Sequence, residues 1–112
     1  MAEYPVPVTE ALLQQITQRI VEHFDPEKVI LFGSHSSGTP RADSDVDLLI
    51  IMDAHGSPIQ RAVEVKRVCR PRYVSMDILV KTPEEVAARL SRGSFFLRQI
   101  LQQGRVLYER RP

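Results

Sequence analysis

Gly33-Ser34-His35-Ser36-Ser37-Gly38-Thr39-Pro40-Arg41-Ala42-Asp43-Ser44-Asp45-Val46-Asp47-Leu48-Leu49-Ile50-Ile51 decides how this chain is read. A Gly-Ser pair closes an apolar run, Val29-Ile30-Leu31-Phe32. Ten residues later, Asp45-Val46-Asp47 heads a second apolar run. In a β-strand, residues i and i+2 point to the same side, so Asp45 and Asp47 present two carboxylates together. A hydrophobic core gains nothing from two adjacent like charges, whereas a divalent metal is held by such a pair.

Further along, Tyr73-Val74-Ser75-Met76-Asp77-Ile78-Leu79-Val80 sets a third carboxylate, Asp77, among apolar residues. On a strand its same-side neighbours are Ser75 and Leu79, while Met76, Ile78 and Val80 face the other way. Singly, each signal has an ordinary structural explanation. Gly33-Ser34 can be a turn, Asp45 a cap, and Asp77 an ion-pair partner. Together, at this spacing, they point to chemistry.

The rest of the chain reads as alternating helices and strands. Thr9 is a cap for a helix over 10–24, where Leu12, Leu13, Ile16, Ile20, Val21 and Phe24 recur at helical spacing. Asp25-Pro26 stops it. Residues 28–32 form a buried first strand, 33–44 a loop and 45–52 the second strand. Ser57-Pro58 opens a helix to Cys69, and Arg70-Pro71 breaks it. A third strand covers 74–81. Thr82-Pro83-Glu84-Glu85 starts a short helix toward Leu90, with a cap, a proline at the first position and acids at the positive end of the dipole. Another helix covers 94–103, with Gly104 as its C-terminal glycine. A short last strand covers 106–108. This order predicts an α/β or α+β domain, with a small mixed sheet flanked by helices, as one unit over 1–112.

Bulk properties limit the function classes. The chain has 112 residues, 43% hydrophobic and 26% charged, which is ordinary for a globular protein. A net charge of +1 gives no overall field to recruit nucleic acid or an anionic membrane, so direct binding to either is not expected. The single cysteine, Cys69, excludes an internal disulfide and reads as a small buried apolar residue. The N-terminus has no charged-then-apolar leader pattern, and the longest apolar run, 48–52, is too short to span a membrane. A cytoplasmic location is expected.

Gly-Ser, ten residues, Asp-x-Asp and a later carboxylate resemble the nucleotidyltransferase superfamily that includes DNA polymerase β. The chain is most similar in plan to its single-domain minimal nucleotidyltransferases, and the Gln103-Gly104-Arg105-Val106-Leu107-Tyr108 ending fits as well. Many members of that family carry an arginine directly after Gly-Ser, where this chain has His35, a weaker phosphate partner when neutral. The resemblance implies a polymerase β-like fold. It also implies transfer of a nucleoside monophosphate, AMP from ATP, to a hydroxyl acceptor.

Asp45, Asp47 and Asp77 would be both catalytic residues and ligands for two Mg²⁺ ions, with Mn²⁺ as a substitute. Gly33, Ser34 and Ser44 would bind the nucleotide. Asp77 would complete the second metal site and help deprotonate the acceptor. The resemblance further implies a partner, an all-helical HEPN-domain protein in a toxin–antitoxin pair, and a homo- or hetero-oligomer. The alternative is a non-catalytic module that neutralises a partner by contact alone.

Overall fold

The computed structural model describes residues 8–33, 45–71 and 74–111. Helix α1 (Glu10–Phe24) begins where the Leu12 N–H donates to the Thr9 hydroxyl, 3.1 Å away, as the sequence predicts. It ends at Asp25, which adopts a left-handed φ of 46° ahead of Pro26. Strand β1 (Lys28–Phe32) and strand β2 (Val46–Ile51) pair antiparallel. Helix α2 (Pro58–Cys69) then carries the chain across to strand β3 (Met76–Lys81), which pairs parallel with β2. Parallel neighbours need such a crossover. Helices α3 (Pro83–Ser91) and α4 (Phe95–Gln103) precede strand β4 (Arg105–Glu109). β4 returns to the far side of β1, giving the order β3-β2-β1-β4.

The central strands are apolar on both faces because helices cover both faces. On one side, Val29, Leu31, Leu48, Ile50, Ile78 and Val80 pack against Leu13, Ile16 and Ile20 of α1 and Val65 and Cys69 of α2. On the other, Ile30, Leu49 and Ile51 pack against Val86 of α3 and Leu97 and Ile100 of α4. Each such side chain contributes about 1.5–3 kcal/mol when fully buried. Among the described residues, the second cluster takes in Phe32, Leu49 and Leu79 but neither Asp47 nor Asp77, and that end of the sheet carries the site.

Several boundaries differ from the sequence expectation. Asp45 and Val74 lie just outside their strands, which begin at Val46 and Met76. The last strand is longer than expected. Gly104 does end α4, but with an extended backbone (φ −71°, ψ 160°) instead of a left-handed cap. Its glycine is required by crowding: a Cβ there would lie 2.5 Å from the Ile100 carbonyl oxygen and 2.6 Å from Ile30 Cγ2. No helix among the described residues is long and apolar enough to cross a membrane.

Candidate active site

Register places the carboxylates. β1 pairs Phe32 with Asp47, and β2 pairs Asp47 with Asp77. Opposed residues on paired strands share a face, so Phe32, Asp47 and Asp77 form a row across three strands. Their face is that of Leu49, on which α3 and α4 pack farther along. Asp47 is half-buried, whereas Asp45 and Asp77 are exposed. Asp45 stands one residue ahead of β2, where the Val46 N–H donates to the Ser75 carbonyl and locks the heads of β2 and β3 together.

Among the described residues, no three His, Cys, Asp or Glu side chains are gathered closely enough to cage a metal by themselves. What the described residues bring together is a set of hard oxygen donors: Asp47 on β2 and Asp77 opposite it on β3, with Asp45 just ahead of β2. That donor set fits Mg²⁺, which is commonly held by one or two carboxylates with substrate phosphates and water completing the shell.

Gly33 is the residue that ties the end of β1 to this row. Its φ is +76°, and a Cβ built on it would lie 2.1 Å from Asp47 Oδ2. The Asp47 carboxylate therefore occupies the space that any other residue at position 33 would fill. The resemblance implies a nucleotide-binding role for Gly33; the structure adds that this glycine makes room for a carboxylate. Ser34, His35, Gly38, Arg41 and Ser44, all in the loop expected over 33–44, lie outside the described residues.

The other reactive groups stand apart. Cys69 is buried, and desolvation pushes its thiol up to about 11, which makes it a poor nucleophile. The His23 ring is engaged with the Arg19 carbonyl on α1.

Beside Gly33 lies a feature that motif reading passed over. A pocket of about 560 Å³ is lined by Phe32, Gly33, Phe96, Gln99, Ile100, Gln103 and Gly104. Phe96 meets Phe32 edge to face, with ring centroids 6.0 Å apart. The signal available in sequence was Phe95-Phe96 at the start of a helix too short to bury both rings. Phe96 stays 54% exposed.

Comparison with known proteins agrees with this geometry. The family model for polymerase β nucleotidyltransferases matches residues 14–112. A Sulfolobus solfataricus structure assigned to the nucleotidyltransferases superposes with a TM-score of 0.60 at 20% identity, over 89% of this chain and 79% of that one. A toxin–antitoxin structure with AMP-PNP gives 0.55 at 19% identity, over 88% and 74%. A variant of the MntA–HpeT toxin–antitoxin pair gives 0.57 at 21% identity, over 93% and 75%. No curated protein sequence matches the chain. The family match spans most of the chain and agrees with the fold, and this chain belongs to the polymerase β nucleotidyltransferase family.

Proposed function

We propose that this protein transfers AMP from ATP to a hydroxyl group on a partner protein, releasing pyrophosphate. One observation carries the reading above the others. Parallel pairing sets Asp47 directly opposite Asp77, and Asp47 lies beside Gly33.

Asp45 and Asp47 would hold the ion that accompanies the triphosphate, and Asp77 with Asp47 would hold a second one. Bound Mg²⁺ would supply charge neutralisation and alignment of the attacking and leaving oxygens. The protein's own residues supply position. β2 and β3 fix Asp47 and Asp77 on neighbouring strands, with Asp45 one residue ahead of β2, and Gly33 keeps the space into which Asp47 projects. Asp77, exposed at the outer edge of the row, would accept the acceptor's hydroxyl proton directly or through water.

A protein acceptor is supported by the kind of complex found among the similar structures. Two of the similar structures are toxin–antitoxin complexes, and we extend that pairing to this chain, with a helical HEPN-type protein as its partner.

The test is incubation of the purified chain with α-labelled ATP, Mg²⁺ and a lysate of its source cells. Label should move onto a protein band. Asp45→Asn/Asp47→Asn should abolish the label without lowering the melting temperature, because the near-isosteric amides relieve the repulsion between like charges. Asp77→Asn should retain ATP affinity while lowering transfer on the order of a hundredfold, as expected for a group acting chiefly in the transition state. Undiminished labelling by the Asp45/Asp47 variant would leave contact neutralisation as the function.

A further inference from the structure

We propose that the pocket between β1 and α4 is the base-recognition subsite, in which Phe96 stacks on an adenine ring and Gln99 and Gln103 read its edge. This inference rests on the nucleotidyltransferase reading and adds the residues that would choose the nucleotide.

Three observations support it. The first is position. Gly33 lines the pocket and also abuts the Asp47 carboxylate, and Phe32, the register partner of Asp47, forms a wall. A molecule whose phosphates sit at the carboxylates can reach this pocket with its other end.

The second is chemistry. No charged side chain is among the described residues that line the pocket. Two phenylalanines and buried Ile100 supply apolar walls, and two glutamine amides supply neutral donors and acceptors. That combination does not suit a triphosphate, but it suits an uncharged heterocycle with flat apolar faces and a polar edge. A glutamine amide pairs well with the donor–acceptor edge of adenine, one hydrogen bond each way.

The third is the pocket's construction on α4. Phe96, Gln99, Ile100 and Gln103 fall at i, i+3, i+4 and i+7, one continuous stripe of the helix. Ile100 anchors that stripe in the core, while Phe96, Gln99 and Gln103 remain accessible. A volume of about 560 Å³ lies within the usual range of small-molecule sites, about 300–1,000 Å³.

The experiment is calorimetric titration of the whole chain in Mg²⁺ with ATP, GTP and tripolyphosphate. Stacking on an aromatic ring is sensitive to removal of that ring, so Phe96→Ala should weaken ATP and GTP binding about tenfold or more. Tripolyphosphate binding should not change. Phe96→Tyr, which keeps the ring, should restore nucleotide affinity. Gln99→Ala/Gln103→Ala should narrow the preference for ATP over GTP and spare tripolyphosphate. Because these three side chains are exposed or half-exposed, the variants should melt like the wild type.

If the wild-type chain binds ATP and tripolyphosphate but Phe96→Ala leaves ATP affinity unmoved, the subsite is overturned and the transferase reading stands. If it binds neither probe, both are overturned.

Discussion

At Gly33 two requirements meet in one residue. The backbone turns out of β1 with a positive φ, and the Asp47 carboxylate fills the place of a side chain. Gly93 shares the first requirement, with φ +82°, but a Cβ there would meet nothing within 4 Å. The two positions separate backbone strain from collision. Gly93→Ala should cost about 1 kcal/mol, the ordinary penalty for a non-glycine residue in this region. Gly33→Ala should cost more, about 2–3 kcal/mol, and should also displace Asp47 and weaken Mg-dependent ATP binding. Thermal melts of both variants, with nucleotide titration of each, check this. Equal losses of stability with intact binding at Gly33→Ala would separate the glycine from the site. In sequence, the Gly-Ser pair was legible as a marker, and so were Asp45, Asp47 and Asp77. The approach of Asp47 to Gly33 was not, because it depends on the antiparallel register of β1 and β2. Cross-strand contacts of this kind are invisible to a reading by spacing alone.

Among the elements, the junction of α2, β3 and α3 turns on one ion pair. Arg61 of α2 is only 9% exposed at its side chain and donates to Glu85 of α3, 2.7 Å away, while its Nε is buried without a hydrogen-bond partner among the described residues. Glu85 also accepts from the Thr82 N–H, closing the reciprocal cap that starts α3. Hydrogen bonding from Thr82, then from Arg61, holds the Glu85 carboxyl below the usual glutamate range. A depressed folded-state pKa means that the stabilisation is present above the ordinary, unfolded value and is lost as pH falls through the folded one. Glu85→Gln keeps the cap geometry but removes the charge opposite Arg61, so it should cost about 1 kcal/mol at neutral pH. Glu85→Ala removes both, at about 2 kcal/mol. In acid the gap between wild type and Glu85→Gln should close. Urea melts at neutral pH and near pH 3 measure it, and a gap that widens in acid would contradict the assignment. The cap was legible in Thr82-Pro83-Glu84-Glu85 because capping is local. Its link to Arg61 was not, since the partners lie on different elements.

For the molecule as a whole, strand order is what turns a motif into a site. β1 and β2 lie in the middle, helices pack on both faces, and among the described residues the apolar cluster on the face of Phe32, Asp47 and Asp77 takes in neither carboxylate. The mixed sheet and most helix limits could be read from apolar periodicity and breaker residues. The docking of β4 beside β1 could not, nor could the pocket that α4 forms with β1, because both are fixed by long-range packing. Asp45 and Asp77 are exposed and Asp47 is half-buried, and carboxylates repel a triphosphate unless a cation lies between them. The most direct measurement is therefore calorimetry of ATP binding by the full chain, in Mg²⁺ and in excess chelator, repeated with Asp45→Asn/Asp47→Asn. The nucleotidyltransferase reading requires saturable binding in Mg²⁺, its loss in chelator, and its loss in a variant that melts at or above the wild-type temperature. ATP binding of equal strength in chelator, or in the variant, would contradict it.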